Sequence, residues 1–520
     1  MTDDSWVLDM KFYTSFFKSR DTLCVRGYDG DEQFFEQLPI DNIVVYTEDH
    51  SNNNFAATQK SIYGVPLYEH RFNTIRAANE FVENNKFQNT WGYPRYEYAM
   101  IDDLYSGEND PSKVKICFID IETAVGPDTD DGSVPEENFP SVFLNKHPIT
   151  LITTCIGTKI VCLSTTELDI SIIESHLKEH IPERDSYSIE YKTFKTEKLM
   201  LREFIDYMEK QKPDIISGWN SNGFDLPYIY ARIEKVLSKK FFDRISPFGQ
   251  SYTREYINDF GEKALSVTIR GIESLDYLQL YKKFELSPRE NYKLETISSI
   301  ETGAGKLHYD GSFRNFYLTD FSKFTAYNII DVIRVLEIDQ KVGFINLALQ
   351  IAYKSKCNYT DVYPVTKIWD NIIANYCRSF NIQLPMDFKH EKEQYEGAYV
   401  KPTIPGKYEF LATFDVGSLY PSIIMQQNIS TETLLEEKVD LTAFDVTNRT
   451  EKFEHAKKRA KELNATLCAD GSMFSRNSVG ILPEVVEIYM KDRKTAKDEM
   501  QEWSKRIEYA KKLLNQRKKK

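Results

Sequence analysis

Thr413-Phe414-Asp415-Val416-Gly417-Ser418-Leu419-Tyr420-Pro421-Ser422-Ile423-Ile424 carries one carboxylate at the end of an apolar run, then a turn, then the start of a helix. The preceding Tyr408-Glu409-Phe410-Leu411-Ala412-Thr413-Phe414 has the make-up of a buried strand, which predicts Asp415 at that strand's carboxyl end. Backbone N–H groups of the Gly-Ser-Leu-Tyr-Pro turn can cradle phosphate oxygens as a helix N-terminus does, while Asp415 holds a cation. A metal-held nucleotide site and a plain capping Asp are both open on this pattern alone.

Upstream, further carboxylates recur in positions that only a fold can join. Val114 to Thr123 reads as a strand in which Asp120 and Glu122 share one face by the two-residue period. Two carboxylates side by side repel unless cations lie between them. Asp214 to Asn220 reads as a second strand, after which Phe224-Asp225-Leu226-Pro227 opens a helix continuing through Ile233, with Asp225 either a ligand or its cap. Ala326 to Arg334 is helical, and its Tyr327 and Asp331, four apart, lie on one face.

Asp-x-x-Ser-Leu-Tyr-Pro-Ser at 415–422 resembles the first polymerase motif of the family B DNA polymerases, closest to those of T4-like bacteriophages. Asp-Ile-Glu, Gly-Trp-Asn with Phe-Asp-x-Pro, and Tyr-x-x-x-Asp resemble the same family's three exonuclease motifs, in order. The resemblance implies an α/β multidomain chain: an N-terminal α+β domain at 1–108 returning at 340–385, and an RNase H-like 3′→5′ exonuclease domain at 109–339. The first part of a palm at 386–482 and an incomplete first fingers helix at 483–520 would follow. It implies Asp120, Glu122, Asp225 and Asp331 as ligands of a two-metal site, Tyr327 orienting the attacking water, and Lys306 offsetting phosphate charge. Asn220 would position the single strand or brace its loop. In the polymerase half, Asp415 and the Val416 carbonyl would bind metal, Ser418 and Leu419 would meet the triphosphate through backbone, and Tyr420 would be the steric gate under the incoming sugar. Arg493 and Lys497, in a segment resembling the fingers helix, would meet the triphosphate too. Tyr395, Gly397 and Tyr399 resemble the segment that touches the duplex, or form a Gly turn before an edge strand. Ser251 to Thr268 suits an exposed hairpin.

Mg²⁺ is the expected cofactor, with Mn²⁺ able to substitute, because all-oxygen ligation suits both. The family's Tyr-Gly-Asp-Thr-Asp-Ser turn and its Lys-x-x-x-Asn-Ser-x-Tyr-Gly helix do not occur after Asp415. The expected function is therefore the N-terminal subunit of a split replicative polymerase acting on primer-template DNA and deoxynucleoside triphosphates. A second chain would bring the remaining fingers, palm and thumb and the sliding-clamp contact. A chain acting only as an exonuclease and a non-catalytic DNA-binding assembly subunit are the alternatives. Retention of four exonuclease carboxylates opposes the latter, and Asp415, Tyr420, Arg493 and Lys497 oppose the former.

Composition agrees with a multidomain globular chain: 520 residues, 41% hydrophobic, with no apolar run of bilayer length and an acidic start lacking a basic leader. This predicts a cytoplasmic location, the host's if phage-encoded. The seven cysteines form no Cys-x-x-Cys, which predicts reduced, mostly buried thiols. A net charge of −13 is unusual for a chain that meets nucleic acid. From Val486 to Lys520, however, twelve Lys or Arg face six Asp or Glu, so basic character is concentrated in one element. Met500, Trp503, Ile507, Ala510 and Leu514 recur there at helical spacing as an apolar stripe, expected to receive a partner helix.

Overall fold

The computed structural model describes residues 11–48, 59–85, 89–124, 140–258, 261–305, 307–309, 311–386 and 402–518, together with Ala57 and Gly126. Two compact units emerge, one from the described residues of Met1–Ile43, Asn73–Ile75 and Arg95–Asn371, the other from those of Val44–Phe72, Arg76–Pro94 and Ile372–Lys520.

The first unit is built on a six-stranded sheet. Its strands are β1 (Ile116–Thr123), β2 (Ile149–Ile156), β3 (Lys159–Ser164), β4 (Ser188–Thr193), β5 (Ile215–Ser217) and β6 (Glu273–Ser274), in the order β4-β3-β2-β1-β5-β6. β1, β2 and β3 pair antiparallel, while β5 and β6 join parallel to β1 and β4 parallel to β3. β1 is central; its first half, Ile116 to Ile119, is continuous in apolar residues, as a strand covered on both faces must be, and Asp120 and Glu122 interrupt its second half. Helix α1 (Glu197–Gln211) and helix α2 (Asp225–Val236) supply Met200, Phe204, Met208, Leu226, Ile229 and Ile233 to a core shared with Ile119 and Ile121. Helix α3 (Phe321–Val342) packs on β1 and β2. The Asp320 side chain caps it by accepting from the Lys323 N–H, and it ends at Gly343, whose φ of 69° is the left-handed conformation that terminates helices.

A three-stranded antiparallel sheet (Phe12–Ser19, Thr22–Asp29, Glu32–Pro39) belongs to the same unit. It is fastened by a buried ion pair, Arg26 to Asp214 at 3.0 Å. The Ser15 hydroxyl also donates to Glu273 at 2.8 Å. Ser251–Ile257 and Lys263–Ile269 form the expected hairpin, largely exposed. Positions 259–260 at its turn lie outside the described residues.

In the second unit, Ile43–Thr47, Gln59–Ser61, Pro66–Phe72, Thr90–Gly92 and Ile382–Pro385 close a small barrel. Helix α4 (Leu419–Gln427) packs on the start of helix α5 (Ile481–Lys518), which is 38 residues long. The segment after α4 caps α5: Asn428 accepts from the Gly480 N–H at 2.9 Å, Glu432 from Ile481 at 2.5 Å and Ser430 from Leu482 at 3.2 Å. These bonds satisfy donors that a helix start leaves without intrahelical partners.

One expectation fails. Tyr408 to Phe414 is neither a strand nor buried: Phe410 is fully exposed and Phe414 is 91% exposed. A strand needs a neighbour to exchange hydrogen bonds with. Among the described residues no strand pairs with this segment.

All seven cysteines are free, and all but Cys468 are buried.

Candidate active site

The three segments that resemble exonuclease motifs lie on neighbouring elements near the point where β5 ends. β5 pairs with β1 only from Ile116 to Phe118, and the chain then leaves at Gly218. Beyond that point the open edge of β1 has backbone donors to spare. The Ile121 N–H donates to Asp225 Oδ1 at 3.1 Å, so the carboxylate at the start of α2 replaces a strand partner between Asp120 and Glu122. Those two side chains are partly exposed on one face of β1, while Ile119, Ile121 and Thr123 are buried. Gly218 is held to its identity by the same junction, since a Cβ there would lie 2.4 Å from the Ile119 carbonyl oxygen.

α3 brings the third motif. Asp331 is buried and Tyr327 half-buried. The Tyr327 ring meets Tyr309, Phe313 and Phe316 edge-on, with centroids 6.1–6.2 Å away. Between Tyr327 and Asp331, Asn328 Nδ2 donates to Asp120 Oδ2 at 2.6 Å. Asp120, Asp225 and Asp331, more than two hundred positions apart at the extremes, are thus carried by β1, α2 and α3 as neighbouring elements joined by these two bonds.

Asp225 is only 3% exposed. Burial pushes its carboxyl up to about 7; the Ile121 N–H works against this and the nearby Asp276 charge adds to it. Asp276, fully buried, is also raised by burial. It accepts from the Asn222 N–H at 2.9 Å and from Gln279 at 3.2 Å, tying down the loop that carries Asn220. Asn220 is exposed, with φ of 66°, a conformation Asn tolerates better than most residues.

The donors on these elements are carboxylate oxygens, the ligands that hard divalent cations prefer. Asp225, whose charge burial disfavours, is a group that a cation would stabilise. Among the described residues, no three His, Cys, Asp or Glu side chains converge as a ready metal cage. Lys306 lies outside the described residues, as do Tyr395, Gly397 and Tyr399.

In the second unit, Asp415 and Val416 stand on the exposed segment before α4 rather than at the end of a strand. Ser418, with φ of 54°, is the N-cap position of α4; Leu419 and Tyr420 form its first turn, with Tyr420 exposed. Arg493 and Lys497 are exposed on one side of α5.

The sequence reading missed Asn328, Asp276 and Asp214 as organising residues. Asn328 had a legible signal, since it lies between two motif residues on a helix. Asp276 and Asp214 act through contacts that no local pattern announces.

Known proteins share long stretches of this sequence. The family described as DNA polymerase family B, exonuclease domain, matches residues 56–297, and DNA polymerase family B matches residues 365–519. The chain is 33% identical over 402 residues to the DNA-directed DNA polymerase of Escherichia phage RB69, covering 74% of this chain and 43% of that one. It is 29% identical over 467 residues to that of Enterobacteria phage T4, covering 88% and 50%. The DNA polymerase delta catalytic subunit of Candida albicans is 27% identical over 354 residues, covering 64% and 30%. The chain spans about half the length of the phage relatives it matches. With both of the family's domains matched in order, the chain belongs to the family B DNA polymerases.

Proposed function

We propose that this chain is a 3′→5′ exonuclease on DNA and supplies the first part of a template-directed DNA polymerase site. The observation that carries the first half is the pair of bonds joining β1, α2 and α3: Ile121 N–H to Asp225, and Asn328 to Asp120. Asp120, Glu122, Asp225 and Asp331 would hold two divalent cations, Mg²⁺ in the cell and Mn²⁺ as a substitute. When bound, these supply charge stabilisation to in-line displacement at phosphorus. The chain's own residues do the positioning. The Tyr327 hydroxyl orients the attacking water, its ring fixed by three aromatic neighbours. Asn220 positions the single strand from the loop that Asp276 anchors, and Lys306 offsets phosphate charge. The test is directional: with Mg²⁺, 5′-labelled single-stranded DNA should yield a ladder of shortened products, and 3′-labelled DNA should release label as mononucleotide at once. Shortening from the 5′ end would overturn the reading.

For the polymerase half, Asp415 and the Val416 carbonyl would bind metal, the backbone at Ser418 and Leu419 and the side chains of Arg493 and Lys497 would meet the triphosphate, and Tyr420 would gate the sugar. Support comes from α4 packing on the start of α5, which ties both triphosphate-binding groups to one scaffold. Tyr395, Gly397 and Tyr399 contact the duplex. The domain limits 1–108 with 340–385, 109–339, 386–482 and 483–520 belong to this proposal, and the pairing of Ile382–Pro385 with Gln59–Ser61 and Thr90–Gly92 supports the return. So does the finer assignment of palm and fingers. Completing the polymerase site takes the remaining palm, fingers and thumb, with the sliding-clamp contact. Among the described residues no helix is long and apolar enough to cross a membrane, and cytoplasmic action is part of the proposal. In the completed enzyme, Tyr420→Ala should admit ribonucleotides. Unchanged sugar selection would remove Tyr420 from the gate.

A further inference from the structure

Asn328 is fully buried, and its carboxamide donates from Nδ2 to Asp120 Oδ2 at 2.6 Å. Its own Oδ1 is buried too and has no hydrogen-bond partner among the described residues. A buried amide that leaves an acceptor unused gives up that group's hydration with nothing in return, so a residue kept at this position needs a compensating role. An apolar side chain would fill the same place between α3 and β1 without that cost. The donation has an evident consequence for Asp120. Its Cβ is fixed by a strand at the centre of the sheet, and a short bond to one carboxylate oxygen then fixes the side-chain torsions and the plane of the group. Because Asn328 rides on the same helix as Tyr327 and Asp331, the bond also registers α3 against β1.

We propose that Asn328 is a positioning residue of the exonuclease site: it orients Asp120 for cation binding and locks the helix carrying Tyr327 and Asp331 to the strand carrying Asp120 and Glu122. The inference rests on the exonuclease reading above and adds a residue to it. Groups that orient a metal-binding carboxylate are worth about 10–100-fold in metal affinity or activity. The bond also works by charge complementarity, because the amide donates to an anion and such bonds are stronger than neutral ones.

Three variants of the full chain separate this role from packing. Asn328→Leu keeps the branched four-atom side chain with slightly more volume and removes the donor. Asn328→Asp keeps the shape and sets a second carboxylate against Asp120. Asn328→Ala removes both donor and volume. Each is measured for melting temperature, for Mn²⁺ binding by calorimetry without DNA, and for the Mn²⁺ concentration that half-saturates digestion of single-stranded DNA. Expected are Asn328→Leu and Asn328→Asp proteins with Mn²⁺ binding weakened by about 10–100-fold and half-saturation shifted in parallel. A role in packing alone would instead make Asn328→Ala the worst and leave Asn328→Leu near wild type. If folded Asn328→Leu and Asn328→Asp both bind Mn²⁺ as wild type does, the inference is overturned. If Asn328→Leu melts early, Asn328→Asp, the isosteric variant, decides. An Asp120→Ala, Glu122→Ala control keeps the two readings apart: its loss of digestion with unaffected Asn328 variants sinks only the inference, whereas its full activity sinks the site itself.

Discussion

Asp214 accepts from Thr14 at 2.9 Å, from Tyr28 at 2.7 Å and from the Lys115 N–H at 2.8 Å, and it pairs with Arg26; both side chains are fully buried. Arg26 in turn donates to the carbonyls of Pro213, at 2.6 Å, and Gly271, at 2.7 Å. Removing one partner strands the other charge in the interior. Arg26→Met should therefore cost about 3–5 kcal/mol in denaturant unfolding, the range for breaking a buried pair from one side. A loss of only a few tenths, as at a surface pair, would contradict this. At Asp225 the sign runs the other way from an ordinary paired carboxylate. Its folded value of about 7 lies above the unfolded value near 4, so its contribution to stability is complete below about pH 4 and is lost as pH rises through about 7. In EDTA, Asp225→Asn should remove that part of the fall in melting temperature between about pH 5 and 8. A fall as steep as wild type's would show that Asp225 is not the group responsible.

At the level of elements, the site depends on where β5 stops. Gly218→Ala would drive a Cβ against the Ile119 carbonyl, which is backbone and cannot swing aside. About 1–3 kcal/mol of destabilisation is expected from such overpacking, together with a larger loss of digestion because β1 carries Asp120 and Glu122. Wild-type activity from a stable Gly218→Ala protein would mean that the junction tolerates movement. β1, β5, α2 and α3 were legible in the sequence because each has its own period, cap or breaker, and the site carboxylates fall at fixed places within them. The bonds between elements were not legible: Asp276 to Asn222 spans 54 positions and Asn328 to Asp120 spans 208, and neither leaves a local pattern. The segment before Asp415 misled for a related reason, since apolar composition marks a strand only when a neighbouring strand exists to pair with it. The stripe on α5 is exposed as expected, with Trp503 60% and Ile507 53% accessible. Trp503→Asp and Ile507→Asp should leave the melting temperature of this chain unchanged and lower primer extension once the remaining polymerase elements are supplied. Full extension by both would remove the stripe from assembly.

Taken whole, the molecule combines a net charge of −13 with a basic last helix. The overall charge would weaken general affinity for DNA, leaving contact to localised cations and to cation-filled carboxylate sites. The order of exonuclease-like motifs before polymerase-like ones was readable from the sequence alone, and the family matches at 56–297 and 365–519 fall in the same order. The packing of the N-terminal three-stranded sheet on the six-stranded one, through Arg26 and Glu273, became visible only in three dimensions. The central claim, that Asp120 and Glu122 on β1 are the heart of a 3′→5′ exonuclease, is tested most directly by one comparison: wild-type chain and the Asp120→Ala, Glu122→Ala double variant, at equal concentration with Mg²⁺, on 5′-labelled single-stranded DNA. The account predicts a ladder of shortened products from wild type and intact DNA from a double variant that melts as wild type does. Equal digestion by the two would contradict it.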